Sequence, residues 1–248
     1  MLRRIALYLL VLLNAHGVAA AADVKVLAPN AAREAVSEAI AVFERATGQK
    51  VIVSWSGTEA ITKRIADGEV VDLVVNAAQN IDRQSKDGKL AGSSRSDFAR
   101  SGIGAAVPAS GAKPDISTSE ALKSLLLKTR IVVVSSGTSG RHMVEMFARL
   151  GLGEQMKPKT RQPPSGAQIA DYLAAGEAEL GFQQVSELLH AKGIQYLGPL
   201  PAELQNYTVY SAAVHVSAAN VEAAKALLAA LRSPSTQAVI RASGMEPI

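Results

Sequence analysis

Apolar positions along this chain alternate between two spacings. Residues 24–28 form a short apolar run broken by one lysine, which predicts a buried strand. Over 31–47 the apolar residues Ala35, Ala39, Ile40 and Phe43 fall on one helix face, and Gly48 follows as a C-terminal cap. The alternation continues with a strand at 51–55, a helix at 59–67 ended by Gly68, and a strand at 71–75. This βαβαβ order predicts a parallel sheet with helices on its faces.

The middle of the chain changes character. Residues 100–108 form a small-residue apolar run ending in proline, and 111–117 is rich in turn residues. The alternation then restarts with helix 119–127, strand 130–135, helices 140–150 and 166–176, strand 179–184, helix 186–192 and strand 194–197. Turns over 199–205 lead to a strand at 207–216 and closing helices at 220–231 and 235–243. Element order repeats without a residue-level repeat. The simplest architecture is two α/β lobes with the chain crossing between them and a ligand cleft at their junction.

Residues 1–22 follow neither spacing. Arg3 and Arg4 precede an apolar run over 5–13, and small residues fill 17–22. A charged start, a short apolar core and an A-x-A-like end make a secretory signal peptide. The run falls short of the roughly 20 apolar residues of a membrane span. Cleavage is expected near 20–22, leaving a secreted, periplasmic chain. That chain contains no cysteine, which excludes thiol nucleophiles, thiolate metal sites and disulfides. The formal net charge is +4, and two of those charges are Arg3 and Arg4. Without a basic run, and with few aromatics, a nucleic-acid partner is excluded. A monomer is expected.

Candidate chemistry gathers at the carboxyl ends of the strands, where ligands bind in open α/β sheets. Asn30 and Ala31 follow the first strand, and Ser56, Gly57 and Thr58 follow the second. S-S-G-T-S-G-R (135–141) follows a later strand and includes Thr138, Ser139 and Arg141, and Gln183 ends another. Hydroxyls, amides and glycines beside helix starts supply N–H donors for an anion, and Arg141 offers a charged contact. The lysine and spacing of a P-loop are missing. Ser and Thr at these points also read as ordinary N-caps. His142, His190 and His215 show no metal-ligand spacing. G-x-S-x-G is absent, so Ser139 with His142 makes a weak case for an exported serine hydrolase. No catalytic residue, metal or cofactor is expected. A sensory module that presents its ligand to a membrane receptor is a further alternative.

The segment VKVLAPNAAREAVSEAIAVFERATGQKVIVSWSGTEAITKRIADGEVVDLVV, with the later GEAELGFQQVSE, resembles the molybdate-binding proteins of ABC importers across 23–248. The resemblance implies a type II periplasmic binding protein: two α/β lobes, each a mostly parallel sheet flanked by helices, closing over a ligand. It implies lobe one at 23–100 plus 205–248 and lobe two at 101–204, with crossings near 100–108 and 204–210. The family's first-loop serine falls on Ala31, its second-loop serines fall around Ser56, Gly57 and Thr58, and its later tyrosine falls on Tyr210. Its second-lobe contacts fall near Thr138–Arg141 and Gln183. The implied ligand is a tetrahedral dianion such as molybdate or tungstate held by neutral donors, and the added Arg141 and amides fit a small organic anion equally. The implied partner is an inner-membrane permease.

Overall fold

The computed structural model describes residues 22–248, and the segment read as a signal peptide lies outside them up to residue 21. The first elements are β1 (Val24–Pro29), α1 (Arg33–Thr47), β2 (Val51–Ser56), α2 (Thr58–Ala66), β3 (Leu73–Ala77), α3 (Ala78–Lys86) and β4 (Ser96–Ser101). Next come β5 (Ile103–Pro108), α4 (Ser119–Lys128), β6 (Val132–Val134), α5 (Thr138–Arg149), α6 (Gly153–Met156) and β7 (Thr160–Arg161). They are followed by α7 (Ile169–Ala174), β8 (Leu180–Gln184), α8 (Val185–Leu188) and β9 (Ile194–Pro199). The last elements are β10 (Thr208–Val214), α9 (Val221–Ala230), α10 (Pro234–Ala242) and β11 (Glu246–Pro247).

The strands form two mixed sheets, β11-β4-β10-β3-β1-β2 and β7-β6-β8-β5-β9. In the first, β1 pairs in parallel with β2 and β3, and β10 runs antiparallel between β3 and β4. In the second, β6 pairs in parallel with β7 and β8, while β5 runs antiparallel between β8 and β9.

Alternate strand residues supply the two faces of each sheet. Val24, Val26 and Ala28 of β1 pack with Ala35, Ala39 and Phe43 of α1, whereas Leu27 packs on the other side with Ile61, Ile65 and Ile81. Val132 and Val134 face Met143, Met146 and Phe147, and Val133 faces Ile169 and Leu173. Central strands are therefore apolar on both faces, which is why they read as continuous runs rather than alternations.

The chain passes from the first sheet to the second between Ser101 and Ile103, and returns between Pro199 and Thr208. Gln205 ties the two passages together. Ile103 N–H donates to Gln205 Oε1 at 2.7 Å, and Gln205 Nε2 donates to the Ile103 carbonyl at 3.0 Å.

Two expectations are corrected. The helix expected over 166–176 begins at Ile169, because Gly166 turns with φ 94° and the Ile169 N–H is taken by Gln183 Oε1 at 3.0 Å. Residues 78–86, read as no element, form α3. Their sequence AQNIDRQSK has almost no apolar face, and the helix buries Asn80 and Gln84 beside Ile81.

Asp72, just before β3, holds the far end of the first sheet. Its carboxylate accepts from Lys25 N–H at 2.8 Å and from Asn220 N–H at 2.7 Å, joining β1 to the start of α9. Burial pushes its pKa up, but the hydrogen bonds from Lys25, Asn220 and Ala219 together outweigh burial and hold it below its ordinary 3.8. Asp72→Ala leaves buried N–H groups unpaired and should cost roughly 2–3 kcal/mol in urea unfolding at neutral pH. A depressed folded pKa means that the stabilisation is full above the unfolded value and is lost as pH falls through the folded one. The gap between wild type and variant should therefore narrow below pH 3.8; a gap that stays constant on acidification would contradict this role.

Candidate functional site

The two sheets point their carboxyl ends at each other, and a cavity of about 40 Å³ lies where they meet. A water needs roughly 10–15 Å³ of such space, so the cavity holds a group about three waters in size. Asn30, Ala31, Ser56, Gly57, Thr58 and Tyr210 line it from the first lobe, and Thr138, Ser139 and Gln183 from the second.

Helix starts make up much of the wall. Gly57 precedes α2 and Gly137 precedes α5, and neither can supply a capping side chain. Ala60 N–H is taken by Ser165 Oγ at 3.2 Å and Gly140 N–H by Ser135 Oγ at 3.1 Å. The earlier N–H groups, on Thr58, Glu59, Thr138 and Ser139, have no intrahelical acceptor. In α4 and α10 the corresponding third N–H is taken by the N-cap hydroxyls of Thr118 and Ser233, whereas at the cavity it is taken by hydroxyls of neighbouring loops. Two further donors are left over at the cavity: the Ser136 and Thr138 hydroxyls are buried without a partner among the described residues. An unsatisfied buried hydroxyl costs about 1–3 kcal/mol. Unpaired hydroxyls, unpaired N–H groups and positive helix ends all favour an anion here.

Among the described residues the wall holds no lysine or arginine. This corrects the expectation for Arg141. Its position on α5 turns it away from the cavity, and its guanidinium pairs at 2.5 Å with Glu59 of α2, across the junction. Gln183 lines the cavity, but its amide is committed to protein. Its Oε1 accepts from Ile169 N–H, and its Nε2 donates to Glu187 Oε1 at 2.9 Å. Ser139 Oγ lies 2.8 Å from Ser135 Oγ, while His142 Nε2 sits 3.0 Å from the Leu204 carbonyl. In this arrangement Ser139 and His142 are bonded to other groups and not to each other.

Sequence reasoning missed part of the wall. Ser135 and Ser136 belong to the serine-rich loop, and Ser165 and Gly166 lie in a turn at the start of the helix expected over 166–176. Glu187 was also missed; helical periodicity gave it the look of a solvated carboxylate. Its signal was its place directly after the end of β8, in the first turn of α8. Glu187 borders the cavity and keeps some exposed surface, yet dense packing around it pushes its pKa up to about 8, with Gln168 and Arg33 opposing the rise. Such a shift favours the neutral carboxyl, whose Oε1 accepts from Gln183 Nε2. An ionised carboxylate 4 Å from a bound anion would repel it by about 4 kcal/mol at an effective dielectric of 20.

The lobes meet around the cavity. Asn30 Nδ2 donates to the Gly166 carbonyl at 3.0 Å, and Ser186 Oγ donates to the Ala31 carbonyl at 2.8 Å. Gly57 faces Ser165 and Gly166 so closely that a Cβ there would overlap Ser165 Oγ and Gly166 N. Its φ of −86° is open to any residue, so proximity and not conformation demands glycine.

The family model described as "Bacterial extracellular solute-binding protein" matches residues 24–246, and the chain belongs to that family. The chain is 34% identical over 219 residues to an aconitate isomerase from Pseudomonas sp, covering 86% of this chain and 83% of that one. It is 29% identical over 209 residues to the molybdate-binding protein ModA of Azotobacter vinelandii, covering 82% and 81%. In fold it matches the periplasmic molybdate-binding protein of A. vinelandii with a TM-score of 0.75 at 19% identity, over 90% of this chain and 98% of that one. It also matches the sulfate-binding protein SubI of Mycobacterium tuberculosis H37Rv with a TM-score of 0.72 at 20% identity, over 91% and 87%. The architecture is that of the periplasmic binding proteins, two mixed sheets flanked by helices.

Two outcomes are expected. Gly57→Ala should keep the lobes apart, so solution scattering should give it a larger radius of gyration than wild type; equal radii would rule out Gly57 as a closure contact. Glu187 has a folded pKa above its ordinary 4.5, so the stability it contributes is full below 4.5 and is lost as pH rises toward about 8. Unfolding titrations across that window should show wild type losing roughly 2–4 kcal/mol relative to Glu187→Gln, and parallel curves would contradict the raised pKa.

Proposed function

We propose that this chain is the exported, periplasmic solute-binding component of an ABC importer, which captures a small anion between its lobes and delivers it to a membrane permease. One observation carries the reading: the first N–H groups of two helices and the unpaired, buried Ser136 and Thr138 hydroxyls surround a cavity with no lysine or arginine among its described lining residues. Family membership supports it, as do a relative named for molybdate binding and a fold neighbour named for sulfate binding. Lobe one is 23–100 plus 205–248 and lobe two is 101–204, hinged where Gln205 ties the crossings. Asn30, Ala31, Ser56, Gly57, Thr58 and Tyr210 contribute from the first lobe, and Thr138, Ser139 and Gln183 from the second. Gln183 acts by orienting Glu187. Ligand binding shifts the population of lobes toward the closed arrangement.

Thermal unfolding against molybdate, tungstate, sulfate, phosphate and small carboxylates tests this reading. A ligand present at a hundred times its Kd stabilises the folded state by about 2.7 kcal/mol. At roughly 2–4 °C per kcal/mol for a chain of this size, Tm should rise by about 5–10 °C. If no anion raises Tm, the reading fails.

A second reading has its own support. A relative 34% identical is named aconitate isomerase, and Glu187 gives the cleft a carboxyl that titrates close to neutrality. Incubating the protein with cis-aconitate and following the double-bond protons by NMR separates the two. Unchanged cis-aconitate fits capture without turnover, whereas conversion that is lost in Glu187→Gln establishes an isomerase.

A further inference from the structure

A second hollow adjoins the first. It has a volume of about 610 Å³, within the range of small-molecule sites, and opens between α1 and α8. Asn30, Ala31, Gly166 and Glu187 line both hollows, so a shared partition separates an inner chamber from an outer one.

The outer chamber contains what the inner one lacks, a fixed cation. Arg33 stacks on the Trp55 ring with its guanidinium carbon 4.4 Å from the ring centre, and its Nη2 donates to Asn30 Oδ1 at 2.8 Å. Asn30 is itself part of the inner wall, so the guanidinium stands one amide's width from the inner chamber. Arg33 opens α1, where a positive charge works against the helix dipole. Its contacts with Asn30 and Trp55 hold it over the cleft; of the two acidic residues lining the same hollow, Glu34 lies beside His190 and Glu187 has its pKa raised by burial. Two contacts across the junction border the chamber, Ser186 Oγ to the Ala31 carbonyl and His190 Nδ1 to Glu34 Oε1 at 3.3 Å.

We propose that the two chambers are one site for an organic anion bearing at least two carboxylates, with one seated among the helix N–H groups of the inner chamber and another on Arg33 in the outer. This rests on the anion-binding reading above and names the ligand class for the same cleft. An inorganic oxyanion would fill the inner chamber alone, leaving Arg33 and the outer volume without a ligand group. A polycarboxylate fits both, because its second carboxylate can take the bidentate, charge-assisted geometry that a guanidinium favours. Its carbon skeleton passes beside Asn30, which lines both chambers.

Titration calorimetry with two probes, tricarballylate and molybdate, tests the proposal on wild type and on Arg33→Gln. Tricarballylate should bind wild type, and Arg33→Gln should weaken it by about tenfold or more. Any molybdate binding should be the same in both proteins, since molybdate reaches only the inner chamber. Trp55 is the chain's single tryptophan, so tricarballylate should also change the intrinsic emission of wild type as it competes for Arg33. Arg33→Lys should recover part of the tricarballylate affinity. Molybdate binding without tricarballylate binding overturns the two-chamber proposal and leaves the anion-binding reading standing. Equal loss of both ligands in Arg33→Gln also overturns it. If neither probe nor any anion of the thermal screen binds, the anion-binding reading itself falls.

Discussion

The structure depends on two helix starts whose first N–H groups face one cavity. The N–H groups at the start of an α-helix have no partner within it, and they carry the positive end of its dipole. Here α2 and α5, from different lobes, begin with glycine instead of a capping side chain and face one cavity. Water or an anion must satisfy these donors. Glycine also lets the opposing loops approach: Gly57 meets Ser165 and Gly166 where a side chain would overlap them, and Gly137 lies against Thr58. The same residues thus leave the donors open and bring the lobes into contact.

Everything around the cavity serves to bring those ends together. In each lobe the parallel strands carry their helix starts to one end, and the two ends face because the chain changes sheets through short passages tied at Gln205. The opposite end of the first sheet is closed independently, by Asp72 bridging β1 and α9. Stability and recognition therefore sit at opposite ends of the strands. A change at Asp72 bears on folding, and a change at Gly57 bears on closure.

Electrostatics inside the cleft are divided. The inner chamber offers dipoles and neutral hydroxyls, together with Glu187, whose pKa burial raises. The outer chamber offers the full charge of Arg33. Neutral donors lose little of their own solvation on closure, whereas an arginine needs a partner to offset its desolvation. A single arginine at the wider, wetter part of the cleft, with none in the enclosed part, follows that rule.

The α/β alternation was legible because buried parallel strands are apolar on both faces and amphipathic helices keep a 3.6-residue spacing, both of which are local patterns. The loops after the strands were legible for the same reason: Asn30, Ser56, Thr58, Thr138 and Ser139 are polar residues at strand-to-helix boundaries. What the sequence did not disclose depends on contacts across the junction. α3 was hidden because it buries amides instead of an apolar face. Arg141 looked like an anion contact by position, but Glu59, 82 residues earlier in the chain, claims its charge. Glu187 looked like a surface carboxylate until folding packed both lobes around it. The sequence by itself determined which segments become strands and helices and which loops stand at strand ends, because hydrophobic period and turn chemistry act over a few residues. Only the tertiary structure decided which donors stay unpaired, which charges are neutralised and where the cavity lies, because burial and pairing are set by residues far apart in the chain.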